Sequence, residues 1–309
     1  MDLETNIQPD LSKYGITSDW LPAATTPPRT LLAIFAHPDD ETFGTGGTLA
    51  RYAASGVKVH YACATRGELG TVPDELRAKY ADLATLRSEE MDCAAQTLGL
   101  SAVHYLGYRD SGMPGTPDNS HPQSLHMAPL DQVVKQLVAL IRTLQPQVIL
   151  TFGPFGGYGH PDHIKMYQAA EAAFKVAADP DYSHSEFSPW QTAKLYYTTF
   201  PTTTLKWGVR AFKLIGKDPT RFGVNKDVDL VETLKQATPV TTVINCGDFL
   251  EVSDKAALCH RSQLGEMSRA LRIPLFVRRI FTGKEHYTLA IPKPSSSRTE
   301  HDLFEGLYP

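Results

Sequence analysis

An apolar run, Leu31-Leu32-Ala33-Ile34-Phe35-Ala36, gives way without a spacer to His37-Pro38-Asp39-Asp40-Glu41-Thr42, and this junction constrains the chain more than any other feature. A run that is apolar at successive positions, and bounded so abruptly, reads as a strand buried on both faces. An imidazole and three carboxylates then crowd one turn at the strand's end. They would repel one another and lose hydration unless a cation, or a proton held at raised pKa, compensated them. A divalent metal is the economical compensation.

The pattern that begins there repeats. Residues 30–36 read as a strand, 46–55 as a helix closed by Gly56, 57–65 as a second strand, and 73–98 as a long helix closed by Gly99. Residues 102–106 read as a short strand, 129–144 as an amphipathic helix, 147–152 as an apolar strand and 161–177 as another helix. Strand-helix units in series imply an α/β fold: a Rossmann-like, mainly parallel sheet with helices on both faces, wound right-handed. Beyond residue 190 the pattern is less regular, with strands expected at 194–200, 240–245 and 286–290, helices at 202–215 and 247–271, and a polar loop at 217–226. The expected organisation is an N-terminal extension (1–28), an α/β core (29–200) and a C-terminal α+β elaboration (201–309) packed on that core as one domain, because no Gly/Ser/Pro-rich linker separates them.

A net charge of -4 with both signs interspersed leaves no basic stripe to neutralise phosphates, so nucleic acid is not an expected partner and small polar substrates are. No segment approaches the apolar length of a membrane span, and the polar, Pro/Thr-rich start lacks a signal-peptide pattern, so a cytoplasmic protein is expected. Cys63, Cys93, Cys246 and Cys259 lie far apart with no C-x-x-C pair, the pattern of reduced, structural thiols. Oligomeric state is not legible from one chain, and a homo-oligomer is an open expectation.

In a doubly wound sheet ligands sit beyond the carboxyl ends of the strands. Those ends carry His37, Asp39, Asp40 and Glu41; then Arg66 and Glu68; then Tyr108, Arg109, Asp110 and Ser111; then Tyr158, His160, Asp162 and His163. His37 and Asp40 are three apart across Pro38, which fixes one backbone dihedral and suits two ligands in a tight turn. Pro161 suits a first helical position, which puts His160 just before a helix and His163 in its first turn. A His37-Asp40-His163 set leaves coordination positions open, as a catalytic metal site requires, with zinc the first choice and ferrous iron the second. Asp39 is then free to act as general base, His160 when protonated to stabilise an oxyanion and protonate a leaving amine, and Tyr158 to add a hydrogen bond. The constellation fits metal-assisted amide hydrolysis. A non-haem iron oxygenase could use the same donor types, but the alternating parallel pattern counts against it; a sugar-binding protein without catalysis would be expected to lack the base or the acid, and both are present.

Four motifs in order, A-H-P-D-D-E (36–41), T-R-G-E (65–68), Y-R-D-S-G-M (108–113) and Y-G-H-P-D-H (158–163), resemble the PIG-L/LmbE-type N-acetylglucosaminyl deacetylase superfamily, and within it the bacterial deacetylases and amidases of thiol-sugar metabolism. The resemblance covers residues 30–200. It implies zinc at His37, Asp40 and His163, a base at Asp39, an acid or oxyanion role at His160, and sugar-binding groups at Glu68, Arg87 and Asp110. The implied reaction removes an acetyl group from an N-acetylglucosamine-type conjugate, with an amidase of thiol-sugar conjugates as the alternative. Gly44, Gly46 and Gly47 follow the acidic turn rather than the strand and do not complete a dinucleotide-binding pattern.

Overall fold

The computed structural model describes residues 29–182, 187–223, 226, 228–265, 271 and 273–308, so the expected N-terminal extension lies outside the described residues. Seven strands form one mixed sheet in the order β3-β2-β1-β4-β5-β7-β6. They are β1 (Thr30–Phe35), β2 (Lys58–Cys63), β3 (Ala102–Tyr105), β4 (Val148–Thr151), β5 (Lys194–Thr199), β6 (Thr242–Asn245) and β7 (Lys284–Ile291). The pairs β1/β2, β2/β3, β1/β4 and β4/β5 are parallel, and β7 pairs antiparallel with both β5 and β6. The Rossmann-like expectation therefore holds. Every residue of β1 is buried, which explains why its sequence does not alternate: neither face meets water.

Among the described residues the α-helices are α1 (Gly46–Ala54), α2 (Asp74–Arg77), α3 (Leu83–Leu98), α4 (Leu130–Leu144), α5 (Gly156–Gly159), α6 (Pro161–Val176), α7 (Thr202–Leu214), α8 (Leu230–Gln236), α9 (Leu250–Cys259) and α10 (Leu275–Thr282). Helix α4 packs on α6, while α1 and α3 pack on α9. On α4 the buried residues Val133, Val134, Leu137, Val138 and Ile141 recur at helical spacing, so a single stripe faces the core. The helix expected over 73–98 is two. Asp82 caps a new helix, its carboxylate accepting from Thr85 N at 2.7 Å and from Thr85 Oγ1 at 2.9 Å, and this local bond competes with continuing the helix through residues 78–82. Gly99, at φ 80°, closes α3 in the left-handed conformation expected of it.

The helix expected over 247–271 is a single turn of 3-10 helix, Gly247–Phe249, followed by α9, which stops at Cys259; residues 266–270 lie outside the described residues. Helix α10 is an addition the pattern did not suggest, and β7 is longer than the expected 286–290. The expectation of four reduced thiols is corrected: Cys93 on α3 and Cys259 at the end of α9 form a disulfide, while Cys63 and Cys246 are free and buried. The partners are 166 residues apart, and only the packing of α9 on α3 brings them together. The C-terminal segment also caps α1, because Glu285 of β7 accepts from Gly47 N at 2.9 Å and Thr48 N at 2.8 Å, placing a carboxylate on the positive end of that helix. Among the described residues no helix is long and apolar enough to cross a membrane.

Candidate metal and substrate site

In the sheet order, the chain runs outward from β1 to β2 and β3, then returns to β4 on the other side of β1. The reversal opens a crevice between the loops that follow β1 and β4. Those are the loops carrying His37 to Glu41 and Tyr158 to His163. A cleft of about 490 Å³ lies there, with His37, Asp39, Arg87, Asp110, Tyr158 and His160 among the residues lining it.

The first loop is tightly tied. Asp40 Oδ2 accepts from the backbone N–H of His37 at 2.8 Å and of Ala36 at 3.2 Å, and the Tyr61 hydroxyl donates to His37 O at 2.6 Å. Asp39 adopts φ 119°, a region that costs a residue with a Cβ of the order of 1–3 kcal/mol and persists only where surroundings over-determine it. Its carboxylate accepts from Arg87 Nη2 at 2.9 Å; the same guanidinium donates to Pro38 O and, at 3.0 Å, to Gly67 O. Arg87 on α3 is thus a buried brace for the loop.

The second loop is shaped by glycine and proline. Gly156, at φ 61°, begins α5, and a Cβ there would lie 2.7 Å from His163 Cβ, so the close approach needs glycine. His160 is the N-cap of α6, and its Nδ1 accepts from Asp162 N at 3.2 Å. Pro161 occupies the first helical position, where its missing N–H costs nothing. His163 is buried in the first turn and stacks on Phe152 with centroids 3.9 Å apart.

Donor atoms of three residues converge, Asp40 meeting each histidine with a different oxygen. His37 Nδ1 lies 3.2 Å from His163 Nε2 and 3.5 Å from Asp40 Oδ2, and His163 Nε2 lies 3.5 Å from Asp40 Oδ1. Tetrahedral ligands at about 2.0–2.1 Å from a zinc ion are separated by ~3.3–3.4 Å, so these residues fit such an ion. The outward nitrogens agree with that use. His37 Nε2 faces Asp162 Oδ2 at 3.3 Å and His163 Nδ1 faces Gly156 O at 3.0 Å, partners that would let Nδ1 and Nε2 respectively serve as the donors to a bound metal. Two groupings without Asp40, His37/His160/His163 and His37/Asp110/His160/Asp162, have one donor from each residue within 4.8 Å of the others. The second is the weaker candidate, because Asp162 already accepts from Ser111 N at 2.9 Å and from the Ser111 hydroxyl.

The charges of the pocket interact strongly. Burial alone would raise Asp40, but His163 and His37 hold its carboxyl well below the usual range. Burial, reinforced by neighbouring Asp40 and opposed by Arg87, pushes Asp39 up to about 6. Burial and then His37 and His163 depress His160 to about 2, so its ring is neutral. With Nδ1 accepting from Asp162 N, the His160 proton resides on Nε2.

Of the residues singled out in the sequence, the structure brings His37, Asp39, Asp40, Arg87, Asp110, Tyr158, His160 and His163 together. It does not bring Arg66 or Glu68 to this cleft. Both line a separate hollow of about 500 Å³ with Tyr108 and Arg109. Arg66 donates to Ser88 Oγ at 2.5 Å and lies over the Tyr105 ring at 4.2 Å, while Glu68 Oε1 accepts from Asp110 N at 3.2 Å, behind the cleft. His126 is tied by its backbone N–H to Ser111 Oγ at 2.9 Å. The sequence reading gave no role to Asp162, Ser111 or His260. An acid between the two histidines of H-P-D-H was the available signal for Asp162; His260, whose Nε2 meets Glu41 Oε1 at 2.6 Å, is brought to its partner by the fold.

Sheet and cleft together define a Rossmann-like α/β protein with a buried His/Asp cluster, able to hold a metal, at its switch point. Residues 32–174 match the PIG-L family, described as GlcNAc-PI de-N-acetylase. A 1D-myo-inositol 2-acetamido-2-deoxy-alpha-D-glucopyranoside deacetylase of Catenulispora acidiphila is 36% identical over 302 residues, covering 91% of this chain and 98% of its own. The enzyme of the same description from Geodermatophilus obscurus is 35% identical over 292 residues, covering 91% and 99%. The chain belongs to the PIG-L family. In fold it is similar to N,N'-diacetylchitobiose deacetylase from Pyrococcus horikoshii, with a TM-score of 0.57 at 21% identity over 90% of this chain and 89% of that one. It is also similar in fold to the 4-carboxy-2-hydroxymuconate hydratase of Pseudomonas putida, with a TM-score of 0.55 at 18% identity over 87% of this chain and 98% of that one. The fold therefore hosts more than one reaction, and the site has to decide.

Proposed function

We propose that the chain is a zinc-dependent N-deacetylase that hydrolyses the acetamide of an N-acetylglucosamine conjugate. The observation that carries this reading is the donor triangle of His37, Asp40 and His163 with Asp39 held beside it at the cleft. Zinc in that triangle would supply Lewis acidity, lowering the pKa of a water and polarising the acyl carbonyl. Asp39 is the base: its carboxylate takes a proton from the attacking water, and Arg87 fixes its orientation through Oδ2. His160, its ring neutral with the proton on Nε2, donates a hydrogen bond from Nε2 to the developing oxyanion, with the Tyr158 hydroxyl as second donor, and Asp39 returns the proton it took from the water to the leaving amine, so the protonated imidazole expected from the sequence is not needed. Asp110, buried beside His37 with its Oδ1 accepting from Gly112 N at 2.8 Å, lines the cleft as an acceptor for a sugar hydroxyl. The names of the relatives favour a 1D-myo-inositol glucosaminide as substrate.

The test follows acetate release from that substrate by the parent, Asp39→Asn and His160→Gln, with zinc content measured for each. Asp39→Asn should lose about 10²- to 10⁴-fold in kcat while retaining zinc. Undiminished turnover by Asp39→Asn would remove the base from this scheme. A panel of acetylated glucosaminides differing only in aglycone then ranks the substrates by kcat/KM.

A further inference from the structure

Asp39 has the largest positive φ of any described residue other than glycine, and its backbone is not held by its own carboxylate alone. The Asp39 N–H donates to Glu41 Oε2 at 2.8 Å. Glu41 is completely buried, and its other oxygen, Oε1, takes the Thr42 hydroxyl at 2.5 Å and His260 Nε2 at 2.6 Å. A buried carboxylate is costly unless a partner compensates it, and His260, itself without exposed surface, is that partner. Burial alone would lower the His260 ring, but Glu41 raises it above its ordinary value.

His260 arrives from the far end of the chain and is anchored on both sides. Cys259 is bonded to Cys93, and Ser262 donates from N and Oγ to the two oxygens of Glu90 at 2.9 and 2.6 Å. Cys93 and Glu90 lie on α3, the helix that also supplies Arg87. One rigid unit thus grips Asp39 twice, at its carboxylate through Arg87 and at its backbone through His260 and Glu41. His260 is not among the residues that line the cleft. A pair serving only to fill the interior would have no reason to end on the backbone of the residue beside the donor triangle.

We propose that His260 is a positioning residue for Asp39, acting through Glu41; this rests on Asp39 being the base of the proposed deacetylation. Without the imidazole, Glu41 loses its charge partner and its fixed orientation, and the strained peptide at Asp39 relaxes. Displacement of a reacting group by about 1 Å costs of the order of 10²-fold in rate without requiring a change in substrate affinity.

The experiment compares the parent, His260→Leu, His260→Gln, Glu41→Gln and the His260→Leu/Glu41→Gln double variant. It measures kcat and KM on the acetylated inositol glucosaminide per folded, zinc-loaded molecule, and hydrogen exchange of the peptide spanning residues 36–43. His260→Leu should lower kcat by about 10- to 100-fold with KM within ~2-fold, and its loop should exchange faster. His260→Gln, which keeps a donor toward Glu41, should recover most of both. The double variant should lose no more than the worse single one, because both break the same relay. Parental kcat and exchange in His260→Leu, or multiplicative losses in the double variant, would overturn the proposal. A parent inactive on every acetylated glucosaminide would instead overturn the deacetylase reading, and the exchange data would still decide whether His260 positions the loop.

Discussion

The Cys93–Cys259 bridge closes a loop of 166 residues, and its removal should be felt by the whole molecule. For a loop of that length, chain entropy contributes about 17 cal/mol/K, or ~5 kcal/mol at 25 °C, by restricting the unfolded chain. Measured losses on removing natural bridges run from about 2 to 5 kcal/mol, because unfolded chains keep some structure. The perturbation is Cys93→Ala/Cys259→Ala, with thiol reduction of the parent as a reversible second arm. An unfolding entropy near 2.1 cal/mol/K per residue gives ~0.65 kcal/mol/K for a chain this size, so a loss of 3–5 kcal/mol lowers Tm by roughly 5–8 °C. Thiol titration of the unreduced, denatured protein comes first and should find Cys63 and Cys246 alone. Melting of oxidised parent, reduced parent and double variant follows. Four titratable thiols in the oxidised protein, or a double variant melting with the parent, would refute the reasoning.

Asp162→Asn should weaken zinc about 10- to 100-fold in a chelator competition, because it withdraws the carboxylate that accepts from His37 Nε2 at 3.3 Å; unchanged affinity would count against ligation through Nδ1. Gly156→Ala and Gly157→Ala share positive φ, yet only the first would drive a Cβ into His163 Cβ at 2.7 Å, whereas the second meets nothing within 4 Å. Both should therefore lose the roughly 1 kcal/mol of backbone cost in denaturant midpoints, and Gly156→Ala alone should also lose zinc. His60 and His104 on β2 and β3 face each other at 3.2 Å, and burial followed by the charges of His104 and Lys58 lowers His60 to about 4. The unfolded chain takes up this proton near pH 6.5 and the folded chain only near 4, so stability falls as pH drops through that window. Solvent screening at this partly exposed pair reduces the effect to about 1–2 kcal/mol, and His60→Gln should flatten the slope between pH 7 and 5.

What could be read from the sequence was local. The run Leu31 to Ala36 has no polar face, so it had to lie inside a two-sided sheet, and the charges that follow it had to fall at that strand's carboxyl end. His160 and His163 could be placed relative to each other because Pro161 sets a helix start between them. Local signals also existed for features that went unread: the Asp82–Thr85 cap that breaks the long helix, and the acid inside H-P-D-H. Arg66 shows the limit of arguing from a strand end. The position was legible, but the side chain turns sideways over Tyr105 of the adjacent edge strand, and no pattern in β2 fixes that direction.

The remaining features depend on which helices lie side by side, a property of the assembled sheet rather than of any segment. Cys93 and Cys259 become a pair only once α9 settles on α3, and the same contact delivers His260 to Glu41 and Ser262 to Glu90. Glu285 reaches the start of α1 because β7 runs antiparallel between β5 and β6. The segment beyond residue 240 therefore reaches the elements that frame the hexapeptide at several points, although it supplies none of the proposed metal donors. Because His260 ends through Glu41 on the peptide that holds Asp39, and the other contacts of this segment bear on α3 and the start of α1, substitutions that disturb the α9–α3 contact should change kcat more than zinc content, whereas substitutions at His37, Asp40 or His163 should change both.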